Sequence, residues 1–227
     1  LMRWTSLKAG FISPGVFIPL LEDTGLIVPV TEWLIDTSIA QWKQWIQSGV
    51  VAQDSKLSVN LSAKNFMSHK VDEVIMLSLK KHDLKSSNLC VEITESIMIA
   101  DSDRALKILE ILSKNGVSVA LDNFGTGYSS LLYLSKYPID IIKIDHTFIA
   151  RSQETTKGKE LVMAIIEMSH KLKLPVIAEG VDTDIKKNFL LDNGCDYFQG
   201  FLFAKALNVL EFEEYVGNSF SIQLTSS

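Results

Sequence analysis

The chain has 227 residues, 47% of them hydrophobic and 22% charged, with a formal net charge of −5. That length suits one large α/β domain able to bury a sizeable core, which excludes a disordered or disulfide-stapled class. The acidic balance, with a pI near 5.4, excludes broad attraction to a nucleic acid polymer. It leaves room for a small phosphorylated ligand whose charge metal ions offset locally.

Leu1-Met2-Arg3-Trp4 reads like the inside of a strand, so further sequence is expected upstream. From Thr31 to Ser48, apolar residues fall at helical spacing (Trp33, Leu34, Ile39, Trp42, Trp45, Ile46) and the pattern stops at Gly49. The Trp stripe reads as core packing. A strand follows at 57–61, a helix at 71–82, a strand at 89–94 and a helix at 102–115 closed by Gly116. The alternation continues with a strand at 117–122, a helix at 128–137 stopped by Pro138, and a strand at 139–144. A helix at 157–173, a strand at 175–178, a helix at 183–193 and a strand at 197–203 come next. A last helix at 208–217 completes a domain over 1–218, and 219–227 reads as a frayed polar tail.

Strands alternating with helices predict a parallel sheet. At least seven strands, counting 1–4, favour a closed TIM-like (β/α) barrel over an open doubly wound sheet. No Gly-x-Gly-x-x-Gly or P-loop lysine pattern supports the nucleotide-fold alternative. No stretch approaches the roughly 20 apolar residues of a membrane span. Cys90 in an apolar strand and Cys195 after Asn193-Gly194 read as buried thiols of a reducing, cytoplasmic compartment.

Polar residues recur at one place, the C-terminal ends of the strands. They are Asn60, then Glu92 and Glu95, Asp122 and Asn123, Lys143 and Asp145, Glu179 and Asp182, and Gln199. A single acid there is most often a helix N-cap. Six successive strands ending so suggest one shared site, because barrel strand ends converge on one mouth. Converging carboxylates need a counter-charge, and oxygen donors without His or Cys point to Mg²⁺ or Mn²⁺. His69, His82, His146 and His170 share no strand-end position and read as surface or second-layer residues. Lys143, inside Ile141-Ile142-Lys143-Ile144-Asp145, is either a structural ion pair or an electrophile for a phosphoryl oxygen. The Gly-punctuated stretch 123–130 suits a flexible loop over a phosphate.

Together these runs resemble the EAL family of bacterial cyclic di-GMP phosphodiesterases. The matching elements are Leu1-Met2-Arg3-Trp4, Phe17-Ile18-Pro19 with Gly25-Leu26-Ile27, Ser58-Val59-Asn60-Leu61-Ser62, and Glu92-Ile93-Thr94-Glu95. Asp122-Asn123-Phe124-Gly125-Thr126-Gly127-Tyr128-Ser129-Ser130, Lys143-Ile144-Asp145, Ala178-Glu179-Gly180-Val181 and Gln199-Gly200-Phe201 follow in family order. The resemblance implies hydrolysis of cyclic di-GMP to linear pGpG with one or two Mg²⁺ or Mn²⁺ ions. It assigns metal ligation to Asn60, Glu92, Asp122, Asn123 and Asp145, and chemistry to Lys143 and Glu179. Arg3, Phe17, Asp182 and Gln199 become substrate contacts, Gln199 by holding a water, and Glu95 anchors the loop at 123–130. A homodimer is implied too, as is an upstream GGDEF or sensor domain, membrane-anchored or not.

Three departures matter. The family's name-giving Glu would lie two residues before Leu1, Asn123 stands where active members carry Asp, and Asp182 stands where Glu is usual. Two readings therefore stay open, a slow phosphodiesterase and a degenerate receptor that binds cyclic di-GMP and signals through attached domains. An unrelated metal-dependent barrel enzyme or interaction domain is the third.

Overall fold

Residues 2–68, 70–100, 102–125 and 131–224 are described by the structure, a computed structural model. The chain opens with an antiparallel hairpin of β1 (Trp4–Ser6) and β2 (Gly10–Ile12), with Trp4 opposite Ile12. This corrects the expectation that 1–4 starts the parallel sheet. Three residues separate the two strands, whereas a parallel crossover needs about a dozen or more.

Helix α1 (Pro14–Thr24) begins on Pro14, where a missing N–H costs no intrahelical bond. Helix α2 (Ile27–Ser48) starts earlier than its periodicity predicts and buries Ile27, Thr31, Ile35 and Ile39 at i,i+4 spacing. It ends as expected at Gly49, whose left-handed backbone lets its N–H reach the carbonyls of Ile46 and Trp45. The Trp stripe divides. Trp42 packs on the core, Trp45 lies against Phe212 with ring centroids 4.5 Å apart, and Trp33 is 60% exposed.

Six parallel strands follow, paired in chain order: β3 (Leu57–Asn60), β4 (Leu89–Thr94), β5 (Ser118–Phe124), β6 (Ile141–Ile144), β7 (Val176–Glu179) and β8 (Tyr197–Gln199). They curl into a half-barrel surrounded by helices, the TIM-like (β/α) class. Short helices α3 (Ala63–Met67) and α5 (Glu95–Ala100) precede α4 (Val71–Lys81) and α6 (Ser102–Lys114) respectively. Further along come α7 (Leu131–Lys136), α8 (His146–Glu154), α9 (Thr156–Lys171), α10 (Asp184–Asp192) and α11 (Val209–Leu224). Helix α11 continues through 218–224, read from sequence as tail, while 225–227 lie outside the described residues. No single helix among the described residues is long and apolar enough to cross a membrane.

Helices cover the sheet, so its strands are apolar on both faces. Val91, Ile93, Val119, Leu121, Ile142 and Ile144 form the centre of the core. Ile75 and Leu79 of α4, Leu109 and Leu112 of α6, and Val162 and Ile166 of α9 close over it. Cys90 and Cys195 are free and buried, as expected. Against this apolar background, the polar residues near the C-terminal strand ends stand out.

Candidate functional site

Parallel register determines which side chains meet. Asn60 of β3 lies opposite Glu92 of β4, Thr94 opposite Asp122 of β5, and Glu179 of β7 opposite Gln199 of β8. Lys143 of β6 completes the row from an otherwise apolar strand, and it is 3% exposed. Its Nζ lies 2.7 Å from Glu179 Oε1, 2.8 Å from Glu92 Oε2 and 3.5 Å from Asp122 Oδ1. Three strands thus contribute carboxylates to one ammonium.

Electrostatics follow from this crowding. Burial alone would push the Lys143 ammonium down, but Glu92, Asp122 and Glu179 together hold it above the usual lysine range. Burial pushes the Asp122 and Glu179 carboxyls up, and Lys143 offsets that only in part. Asp122 Oδ1 is fully buried with no hydrogen-bond partner among the described residues. Ion-paired at 3.5 Å with Lys143 but not hydrogen-bonded, this atom has capacity for a further donor or cation.

Asn123 has φ +55°, a left-handed conformation inside a strand, where the β5–β6 register shifts between Leu121 and Phe124. Asn and Asp tolerate this region best among non-glycine residues. The irregularity breaks the alternation of side chains, so Asp122 and Asn123 need not point to opposite faces. Two residues on, Gly125 N–H donates to Glu95 Oε1 at 2.7 Å. Glu95, expected to anchor the loop at 123–130, thus contacts its described end; residues 126–130 lie outside the described residues.

Other expected site residues do not contact the Lys143 ammonium. Asp145 caps α8: its Oδ1 accepts from the Thr147 backbone N–H at 2.8 Å and from the Thr147 hydroxyl, and its Oδ2 pairs with His146 Nδ1 at 3.0 Å. Burial pushes the Asp145 carboxyl up, but these hydrogen bonds and His146 hold it below the usual range. Asp182 is exposed and pairs with Lys186 at 2.7 Å on the following helix. Arg3 is exposed and donates to the Met2 carbonyl at 3.0 Å. Phe17, expected to stack on a base, is 2% exposed and packs edge-on against Trp4 at 5.9 Å, so Trp4 is the accessible ring of the pair. Asn60 and Gln199 are exposed at their strand ends.

Among the described residues, no three Asp, Glu, His or Cys side chains converge at metal-ligand spacing, and the cation shared by the carboxylates is the Lys143 ammonium. The donor set nevertheless fits a hard divalent ion. Asn60, Glu92 and Asp122 offer oxygen donors from three adjacent strands, and Asp122 Oδ1 is unsatisfied. Sequence reasoning passed over His146 as a surface residue. The one signal for it was its place directly after Lys143-Ile144-Asp145.

The sequence model of the EAL domain matches residues 1–206. Over 207 residues the chain is 41% identical to the bifunctional diguanylate cyclase/cyclic di-GMP phosphodiesterase MucR of Pseudomonas aeruginosa, covering 91% of this chain and 30% of MucR. It is 37% identical to the cyclic di-GMP phosphodiesterase PdeR of Escherichia coli, covering 95% of this chain and 32% of PdeR. The chain therefore spans about a third of the length of these curated relatives. Among solved structures, the MucR phosphodiesterase in complex with c-di-GMP superposes with TM-score 0.86 at 41% identity, covering 90% of this chain and 82% of that one. The EAL enzyme Bd1971, with cAMP and cyclic-di-GMP bound, gives TM-score 0.90 at 30% identity, covering 94% and 58%. By match, by strand-end chemistry and by fold, the chain belongs to the EAL domain family.

Proposed function

We propose that this domain binds cyclic di-GMP and hydrolyses one of its phosphodiester bonds to give linear pGpG. The observation that carries the proposal is Lys143, a buried cation held by carboxylates from three strands at the mouth of a half-barrel. Bound phosphodiester oxygens would meet that ammonium, which stabilises the negative charge gathering on phosphorus-bound oxygen as water attacks. Glu179, its carboxyl pushed up by burial and 2.7 Å from the Lys143 ammonium, accepts the proton of that water. The new P–O bond forms as the P–O3′ bond breaks, and the 3′-oxygen leaves with a proton taken from solvent.

Asn60, Glu92 and Asp122 would hold Mg²⁺ or Mn²⁺, with Asn123 and Asp145 serving a second ion. Such ions lower the pKa of bound water and offset phosphate charge. For Asp145, service to an ion requires Oδ2 to share its contact with His146. Arg3 supplies a phosphate contact, Gln199 and Asp182 hold ligand groups or water, and Trp4 takes the stacking role first expected of Phe17. Within a longer protein the domain would work in the cytoplasm as a homodimer behind a GGDEF or sensor domain.

Asn123 favours one second reading, a receptor that binds the dinucleotide without cutting it, because a neutral amide replaces an anionic ligand. Incubation with cyclic di-GMP and Mg²⁺ or Mn²⁺, followed by chromatography of the nucleotides, separates the two. A pGpG peak that grows with time and disappears in EDTA supports hydrolysis. Tight calorimetric binding without product supports the receptor, and absence of binding ends both.

A further inference from the structure

His146 follows the strand-end run of β6 and opens α8 at the same end of the sheet as Glu179. Its side chain is 68% exposed, unlike the nearly buried Asp145 beside it. The ring is nonetheless fixed. Asp145 Oδ2 lies 3.0 Å from Nδ1, and a carboxylate accepts only, so the ring hydrogen resides on Nδ1. Asp145 is itself held by Thr147, through the backbone N–H at 2.8 Å.

On its other side, His146 leans on the end of β7. A Cβ built on Gly180 would sit 2.5 Å from His146 Cβ and 3.2 Å from its Cα, and Gly180 has φ +71°. Position 180 therefore admits glycine only, and the missing side chain makes room for His146 beside Glu179. In the neutral ring, Nε2 is left as an acceptor, and it has no partner among the described residues. A polar atom with fixed direction, exposed at the mouth and unspent on the fold, is how a binding site contacts a ligand's polar edge.

We infer that His146 is a ligand-contacting, specificity-determining residue whose Nε2 accepts a hydrogen bond from an N–H or O–H of the bound dinucleotide. The inference rests on the cyclic di-GMP reading of the site. Three donors on that ligand have the required chemistry, the guanine N1–H, the guanine 2-amino group and the ribose 2′-hydroxyl. Asp145 orients the ring, as carboxylates orient functional histidines elsewhere.

The test uses two substitutions that each keep half of the imidazole. An Asn side chain places its amide near Nδ1 and can still bond Asp145, whereas Gln reaches the Nε2 position. Calorimetric titration with cyclic di-GMP, in EDTA and again in Mg²⁺, should show His146→Ala and His146→Asn weakened roughly 3–10-fold, as expected for one lost hydrogen bond. His146→Gln should recover most of that loss. Titration with the 2′-deoxy analogue and with cyclic di-IMP assigns the donor, since the variant and parent should converge on whichever analogue lacks it; convergence on neither, with the Gln rescue present, assigns the guanine N1–H. Unchanged affinity in His146→Ala overturns the inference, and so does rescue by Asn but not Gln, which would mean that His146 acts only through Asp145. A parent that binds cyclic di-GMP in neither condition defeats the proposed function itself, a different result from a parent that binds and a variant that matches it.

Discussion

Lys143 joins two roles that looked like alternatives in the sequence, structural ion pair and electrophile. With three carboxylates around it and 3% exposure, it is an ion pair in the structure, and the proposed reaction asks it to be the electrophile as well. Removing one partner of a buried ion group leaves uncompensated charge and typically costs about 3–5 kcal/mol. Lys143→Ala should therefore melt well below the parent in EDTA. Added Mg²⁺ or Mn²⁺ should restore part of the loss, because a divalent ion replaces the missing ammonium among the same oxygens. Thermal denaturation with and without metal checks this, and a variant that melts with the parent in EDTA would show that the ammonium does not hold the cluster together. Hydrolysis should be lost in either condition.

At position 123 the backbone and the chemistry can be separated. The φ of +55° suits Asp as well as Asn, so Asn123→Asp changes charge without disturbing the irregularity in β5. If the second ion limits the rate, the substitution should raise turnover roughly 10-fold or more, about 1.4 kcal/mol of barrier, with little change in ligand affinity. Initial rates of pGpG formation decide it, and equal rates would remove Asn123 from the metal argument.

Between elements, two contacts outside the site set how firmly the scaffold holds it. A Cβ on Gly200 would sit 2.1 Å from the carbonyl oxygen of Val181, while Val181 N–H donates to Gln199 and Leu202 N–H donates back to Val181, each at 3.1 Å. The obstacle is backbone, so Gly200→Ala must separate the segments after β7 and β8. A cost of roughly 1–3 kcal/mol is expected in urea unfolding, together with weaker ligand binding, because Gln199 and Glu179 lie on these two strands. Unchanged stability would show that the crossing has slack.

Asp36 joins α2 to α4 through Lys81 at 2.8 Å, His82 at 2.9 Å and Ser78 at 3.1 Å. Lys81 first, then His82, lowers its carboxyl from the ordinary 3.8 to about 2. A folded pKa below the unfolded one contributes stability that is complete above about 4 and lost as pH falls through about 2. The stability gap between parent and Asp36→Asn should accordingly close across that interval, read by denaturant unfolding at stepped pH. A gap constant down to pH 2 would mean that the contact does not depend on charge.

Element by element, the sequence was most legible where periodicity was long. Strand β4 has the predicted limits, and α4, α6 and α9 differ from theirs by only a few residues. Helix α8 was not foreseen. It is short, too short for a periodic pattern to show, so 146–154 went unassigned, and Asp145 looked like a ligand rather than the N-cap it also is. Phe17 misled for a related reason. Motif position says nothing about burial, and its exposure depends on a hairpin whose pairing with α1 is tertiary.

For the whole molecule, strand order was the most accessible feature and closure the least. Alternating strands and helices predicted parallel neighbours, and β3 to β8 are indeed consecutive. Counting 1–4 as a seventh strand assumed that every apolar run joins the same sheet, but β1 turns back on β2. The convergence of Glu92, Asp122, Lys143 and Glu179 was legible because strand polarity alone sends C-terminal ends to one face. Their ion-pair distances, and the diversion of Asp145 and Asp182 to neighbours on their own helices, were not.

Consecutive strand order also dictates a history for the charge cluster. A ribosome delivers Glu92 and Asp122 first, on strands that pair directly with each other. Lys143, their common counter-ion, emerges about twenty residues after Asp122. Until then the nascent sheet holds two acids with no Lys143 between them, and the pairing of β4 with β5 has to tolerate their repulsion and their burial. Docking of β6 relieves both at once, so the sheet gains its central strand and its neutralising charge in one event. Glu179 comes last, onto an ammonium already in place, and the group assigned to the chemical step is thus the final carboxylate the chain can afford to assemble.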